Sequence, residues 1–126
     1  MGIVDKTRKK ELRGKYEQMR PEMGAFIFKC KATGKTYLGV ETNIRGSLNG
    51  IQFQLKNGSL LVNRRLQDDW NKYGADGFHI EIVEILEYDE KDPGKSDYSK
   101  ELEILKAIWI DKLGNVEQIN KKYSIK

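Results

Sequence analysis

Apolar residues along this chain recur with two different periods, and the switches between them mark its elements. Gly24 to Lys31 alternates, with Phe26, Phe28 and Cys30 on one side and Ile27, Lys29 and Lys31 on the other. That is the period of two expected of a strand. Ala32-Thr33-Gly34 then offers a short connection with glycine where a positive φ is wanted, so Lys35 to Val40 is expected to return as the hairpin partner. From Ile44 the spacing lengthens: Ile44, Leu48, Ile51 and Leu55 follow i, i+4, i+7 and i+11, a helix capped by Thr42 or Asn43 and closed by Asn57-Gly58. A further helix is read from about Leu60 to Tyr73, with Val62, Leu66, Trp70 and Tyr73 on one stripe and Gly74 as its stop.

Period two returns over Gly77 to Leu86, where Phe78, Ile80 and Ile82 oppose His79, Glu81 and Val83. After a polar loop around Pro93-Gly94, a helix opening at Ser96 or Asp97 runs to about Leu113. Leu102, Leu105 and Trp109 form its stripe, and Ile104 and Ile108 widen it, so it is expected to pack on the sheet. The stretch Asp5 to Arg20 carries Leu12, Tyr16 and Met19 among charges and reads as an additional helix ended by Pro21.

The order helix, hairpin, two helices, strand, helix predicts an α+β fold. Its expected form is a three-stranded antiparallel sheet flanked by helices, with an extra N-terminal helix. The chain divides into a basic helix and linker over 1–22, a domain over 23–113, and a polar tail over 114–126, expected to be irregular or a short extension.

Composition narrows the class. At 126 residues there is room for one core, and 38% hydrophobic with 33% charged residues is globular rather than disordered. No window approaches the roughly 18 apolar residues of a membrane span, and the first twenty residues hold no signal-peptide apolar stretch. The expectation is a cytoplasmic protein with no membrane partner. The single cysteine, Cys30, excludes an internal disulfide and falls on the Phe26–Phe28 side as a core thiol. The net charge of +4 is uneven: residues 23–80 carry eight basic and four acidic groups, residues 81–105 three and nine. A basic region set against an acidic one suits a nucleic-acid surface beside a solvating face, although surface charge is often simply uneven.

Gly24-Ala25-Phe26 and Tyr37-Leu38-Gly39 lie on the two hairpin strands. They are followed by Asn43-Ile44, then Asn63, Leu66-Gln67, Trp70-Asn71-Lys72-Tyr73-Gly74, Phe78, Glu81-Ile82 and Ile108-Trp109-Ile110. In this order the series resembles the GIY-YIG nuclease family over Met23 to about Leu113. The resemblance implies phosphodiester hydrolysis with one divalent metal, Mg²⁺ if the chain is active. A tyrosine would order or deprotonate the attacking water, an arginine would stabilise phosphate charge, and a glutamate on the last helix would bind the metal.

The family's catalytic positions carry other chemistry here. The first tyrosine is Phe26, the second is kept as Tyr37, the arginine falls at Ser47, the histidine at Ile51 and the metal glutamate at Lys106. Arg45 lies near Ser47, but two residues back on a helix turns it about 200° away. Glu103, one turn before Lys106, is the candidate substitute ligand; otherwise no metal site and no cofactor are expected. An ammonium has donors only and repels a cation, so Lys106 is no ligand. Tyr37 is read as strand packing in preference to a remnant of catalysis. Gly46 and Gly50 admit either a phosphate backbone or a packed neighbour, and His79 is expected to be exposed or paired with Glu81.

Three functions follow. The leading one is a catalytically impaired GIY-YIG-like domain acting as a nucleic-acid-binding or interaction module, with DNA ahead of RNA. Arg45 and Lys35, with Lys9, Lys10 and Arg13 of the basic run Lys6–Lys15, would contact phosphates. The second is an active metal-dependent endonuclease using Tyr37 with Glu103 or another acid. The third is a protein-interaction module using the apolar last helix and the acidic segment 81–103.

Overall fold

Strand β1 (Met23–Cys30) is buried at every position but Lys29, so both of its faces need cover. It takes the middle of the sheet. Strand β2 (Thr36–Glu41) pairs with it antiparallel through the expected hairpin, Phe28 opposite Tyr37 and Phe26 opposite Gly39, and Gly34 turns at φ 74°. Strand β3 (Phe78–Leu86) pairs antiparallel on the other side, with a bulge at Val83 between the Phe26–Ile82 and Ala25–Glu84 pairs. The computed structural model describes residues 20–123, and the expected amino-terminal helix with Lys9, Lys10 and Arg13 lies outside the described residues.

One correction concerns the sheet. It has four strands rather than three and is mixed rather than antiparallel, in the order β3-β1-β2-β4. The segment expected to be an irregular polar tail supplies β4 (Val116–Gln118), parallel to β2. Three residues carry no readable periodicity. What fixes them is tertiary: the Ile119 amide donates to the Leu38 carbonyl at 2.8 Å, and the Ile119 side chain is buried in the core.

Alternation along β1 and β2 splits the apolar residues into two cores. Phe26, Phe28, Cys30 and Tyr37 face helices α1 (Ile44–Lys56) and α2 (Arg64–Tyr73), meeting Ile44, Ile51, Leu55, Leu66 and Trp70. Met23, Ala25, Ile27, Leu38 and Val40 face helix α3 (Ser99–Leu113), meeting Leu102, Leu105 and the preceding Tyr98. Asn43 caps α1 by accepting from the Gly46 amide at 3.0 Å. Asn63 caps α2 by accepting from Leu66 at 3.0 Å, so α2 begins at Arg64 rather than near Leu60. Such caps contribute about 1 kcal/mol each. Val62, expected on the α2 stripe, lies in the turn before that cap and is exposed; Leu60 is buried in its place.

Helix α3 starts three residues later than Ser96. Asp97 still organises the start by accepting from the Ser99 amide at 3.0 Å and its hydroxyl at 2.6 Å. Ile104 and Ile108, expected to widen the packed stripe, are exposed; the sheet side of the helix is filled by Leu102, Leu105 and the stem of Lys106.

Candidate functional site

The glycine of each triplet is held by packing. Gly24 has φ 150°, and a Cβ there would run into the Glu84 carbonyl of β3. A Cβ on Gly39 would run into the far end of the Phe26 ring. The two positions therefore lock the hairpin to β3 and to its own aromatic layer, with no ligand required. Phe26 offers no hydroxyl and is buried, its ring 6.2 Å from that of Phe28 in an edge-on arrangement.

Tyr37 keeps its hydroxyl but spends it internally. The side chain is fully buried, and Oη donates to Asp69 Oδ2 of α2 at 2.6 Å. Burial first, and the neighbouring Asp69 carboxylate second, push the phenol far above its ordinary range. A phenol held protonated against a carboxylate cannot take a proton from water near neutral pH.

Lys106 sits on α3 at 1% exposure, one of the largest fully buried side chains among the described residues. Its ammonium donates to the Asn120 carbonyl at 3.0 Å and to the Lys122 carbonyl, both in the segment following β4. Burial lowers its pKa to about 8, opposed by the Glu41 carboxylate at the end of β2. Glu41 is itself buried and accepts from Lys122 Nζ at 3.2 Å and from Asn120 Nδ2 at 3.4 Å. A carboxylate, an internal ammonium and two chain carbonyls thus close a polar cluster at one end of the β2 edge.

At the other end, Glu117 of β4 holds a second cluster. It accepts from Arg65 Nη1 at 3.0 Å and Asn63 Nδ2 at 3.4 Å, with Lys35 Nζ at 4.0 Å. Between the two clusters Ile119 is inserted into the core. The side of β2 turned away from β1 is therefore covered by residues 116–122.

These observations decide whether the implied Mg²⁺ fits. Where the resemblance implies a metal carboxylate the chain has the buried ammonium of Lys106, and Glu41, the carboxylate that acts on it, is already paired with Lys122. Among the described residues no three His, Cys, Asp or Glu side chains converge on a common point. Glu103 lies one turn before Lys106 and is half-buried. This donor set does not fit a hard divalent cation, which wants several oxygen ligands around it.

The remaining residues singled out from sequence do not come together. Ser47 is half-buried on α1, whereas Arg45 projects outward and donates through Nε to Glu22 Oε1 at 2.8 Å. Lys35 lies at the hairpin turn, at the opposite end of β2 from Arg45. His79 Nε2 and Glu81 Oε1 are 2.8 Å apart on the exposed side of β3, and Cys30 is buried. Sequence reasoning missed Asp69, Glu41 and Glu117 because each acts on a partner at least 32 residues away, or on the β4 segment.

Charge is sorted along the strands. Lys29, Lys31 and Lys35 gather at the hairpin end of the sheet, while the β3–α3 loop at the other end carries Glu87, Asp89, Glu90, Asp92 and Asp97. No described helix is long and apolar enough to cross a membrane.

No family model and no curated protein matches the chain. Two solved structures do. One is the catalytic domain of homing endonuclease I-TevI, 21% identical with a TM-score of 0.58, over 77% of this chain and 97% of that one. The other is a mutant of the catalytic domain of intron endonuclease I-TevI, also 21% identical at 0.58, over 78% of this chain and 93% of that one. The likeness shows the fold: the α+β architecture described above is GIY-YIG-like.

Proposed function

We propose that this GIY-YIG-like domain binds nucleic acid without cutting it. The observation that carries the reading is Lys106. Where the resemblance implies a metal carboxylate, this chain has a buried ammonium bonded to its own carbonyls. Phosphoryl transfer without a metal or a guanidinium aimed at the developing charge loses its largest electrostatic contribution. Phe26 and the sequestered Tyr37 remove the proton-handling group as well.

The binding half of the reading rests on surface charge. Exposed cations along α1 and the start of α2, with Lys35 at the hairpin turn, would neutralise phosphates, while the acidic loop faces solvent. That the similar structures are endonuclease domains makes DNA the first substrate to try, ahead of RNA, with no metal needed for binding. The test is a titration of labelled duplex DNA with the full chain at about 50 mM salt, repeated at higher salt, beside a nicking assay with Mg²⁺ or Mn²⁺. Salt-sensitive association without nicking is expected. Lack of association removes the binding half, and metal-dependent nicking abolished by Tyr37→Phe removes the other.

A further inference from the structure

Between Glu41 and Asp68 the chain contains no carboxylate, and its cations are Arg45, Lys56, Arg64 and Arg65. This stretch is α1, the α1–α2 loop and the first turn of α2. With Ile44, Ile51 and Leu55 turned into the core, the positions Arg45, Asn49, Gln52, Phe53 and Lys56 share one arc of about 100° on α1. All but Gln52 are exposed, Phe53 at 68%. Beyond the Lys56 end of the helix, Leu61 and Val62 are exposed at 73% and 66%.

Two features set this face apart from an ordinary solvated one. Neither helix carries an acid in its first turn, and α2 begins with Arg64-Arg65, cations that oppose the helix dipole. Arg65 is offset by Glu117, whereas Arg64 makes no ion pair among the described residues. A local rule broken at exposed positions without return in packing points to function. The loop is also tied down by hydrogen bonds: Asn57 Nδ2 donates to the Phe53 carbonyl at 2.9 Å, the Leu60 amide to Gln67 Oε1 at 3.0 Å, and Gln67 Nε2 to the Leu55 carbonyl at 3.0 Å. With Leu60 buried as the anchor, Leu61 and Val62 are held outward in place.

We infer that this face of α1, with Leu61 and Val62 beside it, is the surface that meets duplex DNA. The inference rests on the nucleic-acid reading above and assigns its site. The arc runs about 16 Å along the helix, and a helix of that girth enters the major groove of B-form DNA but not the narrow one of A-form RNA. Cations stand at both ends of the arc for phosphates, and between them lie Asn49 and Gln52, amides of the kind that pair with base edges. Phe53 supplies apolar contact of the kind thymine methyl groups make, and Leu61-Val62 form a wedge for the groove wall. Glu22, paired with Arg45 at the rim, would yield its place to a phosphate.

Anisotropy of the full chain on a labelled duplex tests the assignment. The triple variant Asn49→Ala, Gln52→Ala, Phe53→Ala, all on the outer arc of α1, is expected to weaken binding at least about tenfold. Lys56→Gln with Arg64→Gln is expected to reduce the slope of log K against log salt by about two. Lys29→Gln with Lys31→Gln, at the hairpin end, should leave affinity unchanged. Circular dichroism confirms that each variant is folded. Full affinity in the α1 variants with loss in the hairpin pair overturns the assignment while keeping nucleic-acid binding. Preference for single-stranded RNA over the duplex overturns it too, and no binding by the wild-type chain overturns the nucleic-acid reading itself.

Discussion

The edge of β2 and the outer face of α1 are separated by two residues of chain and treat polar groups in opposite ways. Along β2 every charged or hydroxyl group discussed has an internal partner: Tyr37 has Asp69, Lys106 has two tail carbonyls, Glu41 has Lys122, and Glu117 has Arg65. On α1 the cations, amides and Phe53 face water, and among the described residues only Arg45 is in an ion pair. A group satisfied inside the protein is unavailable to a ligand, and one left in water is available at little desolvation cost. The comparison locates the structural work of this domain at the strand edge and leaves the helix face for the recognition proposed above.

The largest break in that contrast should come from Lys106→Glu. It would replace a paired ammonium by a second buried carboxylate beside Glu41 and strand the Asn120 and Lys122 carbonyls. Urea denaturation should show a loss of about 3–5 kcal/mol. A loss below about 1 kcal/mol would mean that the ammonium does not hold the tail. Next, Ile119→Ala empties a fully buried site in the tail and should cost about 2–4 kcal/mol. If it costs no more than a surface change, β4 is an ornament rather than part of the core.

Titration sharpens the same region. The folded pKa of Lys106 is lowered to about 8 from an ordinary 10.5, so between those values the unfolded chain binds more protons than the folded one. Stability contributed by this group therefore rises with pH across roughly 8 to 10.5. The difference in unfolding free energy between wild type and Lys106→Met should grow over that window and be flat below it. A difference that shrinks there would show that the tail carbonyls favour the charged form more than burial opposes it.

Smaller still, Tyr37→Phe should destabilise by about 1 kcal/mol, the contribution of one hydrogen bond to a half-buried carboxylate. At the other pole, Phe53→Ala should change stability by less than about 0.5 kcal/mol, since the ring is mostly in water. A cost of 2 kcal/mol there would show the ring packed, and the contrast between the two regions would weaken.

Most elements were legible because each carries its own period. Phe26-Phe28-Cys30 announces β1 and Ile44-Leu48-Ile51-Leu55 announces α1, while Asn43 and Gly74 mark a start and a stop. The late starts of α2 and α3 were hidden because Leu60 and Val62 continue a helical spacing that the Asn63 cap interrupts, and Tyr98 is recruited by core packing. Strand β4 was illegible for a different reason: its pairing with β2 and the burial of Ile119 are settled by contacts across about 80 residues.

The positions that the resemblance implies as catalytic could be read one by one, since Phe26 lacks a hydroxyl and Lys106 a carboxylate by chemistry alone. Where those side chains turn instead could not. Asp69 for Tyr37 and the two carbonyls for Lys106 are partners that only the folded chain brings together.

The central claim is that the strand edge is closed to chemistry. Incubating the full chain with supercoiled plasmid and Mg²⁺ or Mn²⁺ tests it most directly. The account predicts retarded but intact plasmid at low salt, with no nicked product above a protein-free control. Nicking that requires the metal and disappears in Tyr37→Phe would contradict it.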